Sequence, residues 1–128
     1  MRELKRVACI DDDEFIREIV LMSLCDVGGF EAETYAEGRA ALDRIPAFNP
    51  DLILLDVMMP NMDGLAVLEK LKADNRVGKT PVIFMTARAQ ASELDAYREA
   101  GASATIIKPF DPVTLPDQLR AVFAQESD

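Results

Sequence analysis

Residues Asp51 to Gly64 restrict the fold more than any other stretch. Four consecutive apolar residues, Leu52-Ile53-Leu54-Leu55, stand between Asp51 and Asp56. A strand with one face in water alternates apolar and polar residues. An unbroken apolar run instead reads as a short strand buried on both faces, which requires cover on each side. This strand delivers one carboxylate, Asp56, to its C-terminal end. Pro60, Asn61, Asp63 and Gly64 then make a turn-rich segment before a helical pattern begins. Ligands of open parallel α/β sheets collect at the carboxyl ends of the strands. What else reaches that edge therefore decides what Asp56 can do.

The same alternation runs through the rest of the chain. Arg6 to Ile10 reads as a first strand ending at Asp11-Asp12-Asp13. A helical pattern from Glu14 to Val27 puts Ile16, Ile19, Val20, Leu24 and Val27 near one face, and Gly28-Gly29 stops it. Phe30 to Tyr35 is a shorter, more polar strand suited to a sheet edge. A short helix carries Ala41, Leu42 and Ile45 and is expected to end before Pro46. After the central strand, the next helix shows Leu65, Leu68 and Leu71 at a spacing of three. Pro81 to Thr86 reads as a fourth strand. Ala89 to Ala100 reads as a helix with Leu94 and Tyr97 inward and Gly101 at its end. Ala104 to Ile107 is a short fifth strand, followed by Lys108-Pro109-Phe110. The last helix opens at Thr114-Leu115-Pro116-Asp117 with a capping pattern and carries Leu119, Val122 and Phe123. Repeated β-then-α units predict a parallel sheet covered on both faces through right-handed crossovers.

Composition removes several classes of function. A chain of 128 residues, 49% hydrophobic and 29% charged, suits one soluble domain with a single sizeable core. No apolar run approaches the ~20 residues of a membrane span. Val7 to Ile10 is too short for the core of a signal peptide, so a cytoplasmic location is expected. A net charge of −9 speaks against direct binding of nucleic acid. Cys9 and Cys25 are too few for a disulfide scaffold and are expected to be reduced packing residues. There is no histidine, which excludes Ser-His-Asp and Cys-His nucleophile systems and His-ligated zinc within this chain. A metal here would have to use oxygen ligands, as Mg²⁺, Mn²⁺ and Ca²⁺ do.

Strands one, three, four and five end in Asp11 and Asp12, Asp56, Thr86 and Lys108, all at one sheet edge. Each is unremarkable alone: Asp12 or Asp13 could cap the first helix, a single lysine is usually solvated, and threonine is an ordinary strand residue. Their convergence is what matters. Two carboxylates ~4 Å apart repel by roughly 4 kcal/mol at an effective dielectric near 20. Three together call for a divalent cation or a shifted pKa. Mg²⁺ fits, since it takes few carboxylates together with water and phosphate oxygens. No glycine-rich phosphate cradle follows the first strand. The pattern suits a reactive Asp56 with Mg²⁺ beside it.

Asp11-Asp12, Asp56 with Met59-Pro60-Asn61-Met62-Asp63-Gly64, Thr86-Ala87 and Lys108-Pro109-Phe110 occur in one order at successive strand ends. In this the chain resembles, over essentially its whole length, the receiver domain of two-component response regulators, of the stand-alone kind. The resemblance implies a doubly wound, flavodoxin-like (βα)5 fold with a five-stranded parallel sheet in the order 2-1-3-4-5. It implies one receiver domain over residues 1–128 with no output domain, and a receiver cut from a longer protein is the alternative. Asp56 would be the phosphoacceptor, taking its phosphoryl group from a phosphohistidine on a sensor histidine kinase or phosphotransfer protein. Asp11, Asp12, Asp56 and the backbone carbonyl of Met58 would hold Mg²⁺, or Mn²⁺ in its place. Lys108 and Thr86 would contact phosphoryl oxygens, and the Lys108–Pro109 bond would be cis. The chain would catalyse only its own phosphorylation and dephosphorylation. It would signal to a protein target through the face of helix 4, strand 5 and helix 5.

One position departs from the family pattern. Three residues before the lysine the family often has an aromatic residue, and here it is Thr105. The switch is then expected to run through Thr86 and the loop from Ala87 to Ala91, with a weaker aromatic response. Met58 and Arg88 occupy positions that tune phosphoryl lifetime in the family. Two other classes compete. An aspartate-nucleophile phosphatase would want a carboxylate two residues after the nucleophile, where Met58 stands. A degenerate receiver acting as a binding scaffold would not need the complete set of site residues.

Overall fold

The computed structural model describes residues 3–88 and 90–127, the last by its backbone alone. Five parallel strands, β1 (Arg6–Ile10), β2 (Glu31–Tyr35), β3 (Leu52–Asp56), β4 (Val82–Thr86) and β5 (Ala104–Ile107), form one sheet in the order β2-β1-β3-β4-β5. Five α-helices connect and follow them: α1 (Glu14–Leu21), α2 (Gly38–Phe48), α3 (Gly64–Ala73), α4 (Ala91–Ala100) and α5 (Leu115–Ser127). The order and the parallel pairing are those the resemblance implied.

Period-two geometry divides the strand side chains between two cores. Ala8, Ile10, Ile53, Leu55, Val82 and Phe84 pack with Ala41, Ile45, Val67, Leu68, Leu71 and Tyr97 of α2, α3 and α4. Val7, Cys9, Leu52, Leu54, Ile83 and Met85 pack on the other face with Val20, Leu24, Leu115, Leu119 and Phe123. All five residues of β3 are buried, as their apolar run required. The more polar β2 lies at a sheet edge, with Glu31 and Glu33 in water.

Four local expectations fail, each for a physical reason. The first helix does not keep an α register to Val27. It passes at Met22 into a π-helical segment, Met22–Val27, in which the Gly28 N–H donates to the Ser23 carbonyl at 2.9 Å. The wider turn carries Val27 outward, to 52% exposure. The second helix runs through Pro46 to Phe48. Proline removes one hydrogen bond near the helix end, and the burial of Ala41 and Ile45 holds the segment helical around it. Asn49, left-handed at φ 54°, closes that helix with its N–H on the Ile45 carbonyl. In α3 a strict spacing of three drifts around the axis, so Val67 joins Leu68 and Leu71 inside while Leu65 is 39% exposed. Cys25 is exposed, so only Cys9 is a packing residue, and burial pushes its thiol far above the ordinary range.

In α4, Tyr97 is buried and Leu94 half-buried, and left-handed Gly101 ends the helix. The expected start at Ala89 lies outside the described residues. Among those described, no helix is long and apolar enough to cross a membrane.

Candidate functional site

The C-terminal edges of β1 and β3 are neighbours in register, with Ile10 opposite Leu55. The next residue on each strand, Asp11 and Asp56, therefore arrives side by side. Asp11 is fully buried and Asp56 is 4% exposed, while Asp12 beside them is open to solvent. Carboxylate oxygens of Asp11, Asp12 and Asp56 lie within 4.8 Å of one another. The Asp13 carboxylate stands outside this cluster, although its backbone N–H donates to Asp11 Oδ1 at 2.9 Å. It caps α1, accepting from the Phe15 N–H at 2.9 Å and from the Ile16 N–H. The run of three aspartates thus divides between a helix cap and a site.

Lys108 follows β5 and reaches back across the sheet edge. Its Nζ donates to Asp11 Oδ2 at 2.7 Å and stands 3.4 Å from Asp56 Oδ1. Its backbone N–H donates to the Thr86 carbonyl at 2.8 Å, tying the ends of β4 and β5 together. The Lys108–Pro109 bond is cis. Thr86 ends β4 and is buried, and its hydroxyl donates to the Arg88 carbonyl at 2.9 Å. The structure therefore gathers Asp11, Asp12, Asp56 and Lys108 into one constellation and engages the Thr86 hydroxyl with the adjoining loop. Met58 lends a backbone N–H to Asp56 Oδ1 at 3.2 Å, and its side chain stands in solvent. The loop beyond Arg88 includes Ala89, outside the described residues.

The turn after β3 is built to bring α3 close. Asn61 is left-handed at φ 69°, and Asp63 caps α3 through the Ala66 N–H at 2.9 Å. A Cβ on Gly64 would stand 2.6 Å from the Asp56 carbonyl oxygen, so only glycine allows α3 to begin against the end of β3.

The electrostatics follow from three carboxylates facing one cation. Burial, followed by the charge of Asp11, pushes the Asp56 carboxyl from its ordinary 3.8 up to about 6; Lys108 and the Met58 N–H oppose this, and a hydrogen bond with Asp12 adds to it. Burial pulls the Lys108 ammonium down, but its hydrogen bond to Asp11 and the charges of Asp11 and Asp56 outweigh this and hold it above its ordinary value. Lysine does not neutralise the pocket. An all-oxygen donor set with excess negative charge, open at Asp12, fits a hard divalent cation.

One supporting residue escaped the sequence reading. Arg17 donates from Nη1 to the Asp11 carbonyl at 2.8 Å, fixing the backbone of the buried aspartate. The available signal was its place four residues after the Asp13 cap, one helical turn up on the side of the pocket.

With the geometry in view, the comparisons with known proteins agree on one family. Residues 7–120 match the model of the response regulator receiver domain. Response regulator Rre1 of Synechocystis is 34% identical over 126 residues, covering 98% of this chain and 54% of that protein. Response regulator MprA of Mycolicibacterium vanbaalenii is 38% identical over 117 residues, covering 91% of this chain and 49% of that protein. Chemotaxis protein CheY4 of Vibrio cholerae superposes with a TM-score of 0.87 at 32% identity, covering 94% of this chain and 99% of that one. The chain belongs to the response regulator receiver family of two-component signalling. It spans about half the length of the curated relatives it matches.

Proposed function

We propose that this receiver, read as one domain over residues 1–128, is a phosphorylation switch whose acceptor is Asp56. Its donor is a phosphohistidine on a sensor histidine kinase or phosphotransfer protein, and its signal leaves through changed protein contacts. The observation that carries this reading is the reach of Lys108. Its Nζ bridges Asp11 at 2.7 Å and Asp56 at 3.4 Å, where a phosphoryl group on Asp56 would bring new negative charge.

In the transfer, an oxygen of Asp56 bonds to phosphorus as the phosphorus–nitrogen bond of the donor breaks, and the departing imidazole keeps the bonding pair and takes its proton from solvent. Asp56 must be ionised to attack, which its carboxyl is at neutral pH even with a pKa near 6. Lys108 meets the charge that moves onto the phosphoryl oxygens, so positioning and charge neutralisation supply the catalysis. The Thr86 hydroxyl exchanges the Arg88 carbonyl for a phosphoryl oxygen, and this exchange transmits the new state to the loop before α4. Asp11, Asp12, Asp56 and the Met58 carbonyl would hold Mg²⁺, or Mn²⁺ in its place. When bound, the ion supplies the further positive charge that the pocket lacks and that phosphoryl oxygens require.

The chain acts only on its own acyl phosphate and turns over no separate substrate. Its target is a protein that reads the α4, β5 and α5 face, and no direct contact with nucleic acid is invoked. Thr105, half-buried on β5, leaves the movement of Thr86 without an aromatic partner at that position.

Intact mass after incubation with acetyl phosphate, with and without Mg²⁺ and beside Asp56→Asn, tests this reading. One added phosphoryl group that requires both Mg²⁺ and Asp56 is expected. No adduct, together with no stable beryllofluoride complex, would overturn the switch in favour of a binding scaffold.

A further inference from the structure

The π-helical segment Met22–Val27 buries one polar side chain, Ser23, with none of it exposed. Its Oγ donates to the Pro112 carbonyl at 2.5 Å, joining residues 89 apart in sequence. Pro112 lies in the loop between β5 and α5, four residues after Lys108.

That loop is poor in donors. Pro109 and Pro112 have no N–H, so the segment is held there through its carbonyls or by packing. Its near end is tied by the Lys108 N–H on Thr86, and its far end by the Val113 and Leu115 N–H groups on Asp111. Between them, Phe110 leans on the core that contains Leu24 and Leu115, and Ser23 holds the Pro112 carbonyl. Gly28, which caps the π segment, lies against the first two turns of α5. Arg120 donates to the Gly28 carbonyl at 2.6 Å, and a Cβ on Gly28 would stand 2.9 Å from that of Pro116.

We propose that Ser23 is a positioning residue for Lys108: by holding the Pro112 carbonyl it fixes the loop that sets how far the Lys108 ammonium reaches toward Asp56. This rests on the reading of Asp56 as phosphoacceptor. It goes beyond that reading by assigning a role to a buried hydroxyl in α1's π-helical continuation, outside the acidic pocket. The hydroxyl touches no reacting atom and acts through the loop.

The test is Ser23→Ala in the full chain, well below its melting temperature, with acetyl phosphate and saturating Mg²⁺. A displacement of about 1 Å at a reacting geometry can cost ~100-fold, so a partly released loop is expected to slow acyl phosphate formation roughly three- to tenfold. Mg²⁺ affinity, measured by calorimetry, should stay within about twofold, because Asp11, Asp12 and Asp56 are untouched. In a Lys108→Ala background, Ser23→Ala should have no further effect on rate. A merely structural serine would instead give the same fold loss in both backgrounds, or none in either, and either result overturns the proposal. Ser23→Cys keeps the volume with a weaker donor, and carries the same test if the alanine variant does not fold. The Lys108 side-chain ammonium resonance in NMR reads the clamp without any phosphoryl transfer, and Ser23→Ala should broaden it. Wild-type protein that gives no adduct would sink the phosphoacceptor reading, whereas an ammonium resonance unchanged by the substitution would sink the clamp alone.

Discussion

Asp51 and Asp56 flank the same strand, one at each end, and their surroundings are opposite. Asp51 accepts the backbone N–H groups of Lys5 at 3.0 Å and Arg6 at 2.9 Å, so its charge meets donors that stitch the N-terminal ends of β1 and β3. Asp56 faces Asp11 and Asp12, and burial with like charge lifts its carboxyl to about 6. One carboxylate is placed to close the sheet and the other is kept in excess. A fold tolerates such excess where a ligand or a covalent group will balance it, so the imbalance marks the Asp56 end of the strand as the candidate site and the Asp51 end as structural.

The contrast breaks most sharply at Lys108. Lys108→Ala removes the cation between two buried carboxylates, and in metal-free protein this should cost ~3 kcal/mol in urea unfolding, the scale of an orphaned buried pair. Saturating Mg²⁺ should recover part of that loss. The rate of phosphorylation from acetyl phosphate should fall by ~100-fold, as for other groups that meet developing charge. Equal destabilisation with and without Mg²⁺ would refute a shared pocket for the two cations.

Asp56→Asn should act in the opposite direction on stability. The folded protein holds the Asp56 proton more tightly than the unfolded chain does, since about 6 lies above 3.8. Metal-free wild-type protein therefore loses stability as pH rises from about 4 to about 6, and this contribution is flat above that. The variant lacks the loss. It should be more stable than wild type by on the order of 3 kcal/mol above pH 6, with the difference vanishing below pH 4. Denaturant midpoints across pH 4 to 8 measure this, and a variant less stable than wild type at pH 7 would mean that the pocket is not frustrated.

How much of this was legible in the sequence depends on how local the cause is. The strands were readable because Leu52 to Leu55 and Val82 to Met85 are apolar without interruption, a pattern with few solutions. The meeting of Asp11, Asp56 and Lys108 followed from strand order and parallel direction alone. The division of labour among Asp11, Asp12 and Asp13 was open from the residues alone, because cap and site differ only in the direction a side chain takes, and only the family resemblance assigned Asp11 and Asp12 to the pocket. The π segment stayed hidden for a related reason. Ser23 and Val27 fit an α register well, and the turn widens through contacts with Pro112, Pro116 and Arg120, which lie about 90 residues away. Pro46 is the reverse case, a strong local signal overruled by the burial of Ala41 and Ile45.

At the quiet end of β3, Asp51→Ala should cost ~1–2 kcal/mol by leaving the Lys5 and Arg6 N–H groups without that acceptor. The loss should be the same with and without Mg²⁺, and phosphorylation should proceed at the wild-type rate. A Mg²⁺-dependent loss would erase the distinction between the two ends.

The smallest effect sharpens the comparison within a single run of aspartates. Asp12 and Asp13 are adjacent and both open to solvent, yet only Asp12 places an oxygen in the acidic cluster. Asp13 spends its carboxylate on the first turn of α1. Asp13→Ala should therefore cost ~1 kcal/mol, the usual loss for a helix cap, and leave Mg²⁺ affinity within about twofold of wild type. Asp12→Ala should do the reverse, weakening Mg²⁺ at least ~10-fold with little change in metal-free stability, since removing one of three crowded carboxylates relieves repulsion. Calorimetric Mg²⁺ titration beside urea unfolding of both variants decides it. If the two substitutions gave the same pair of changes, cap and ligand would not be separate roles, and the acidic run would act as one diffuse charge.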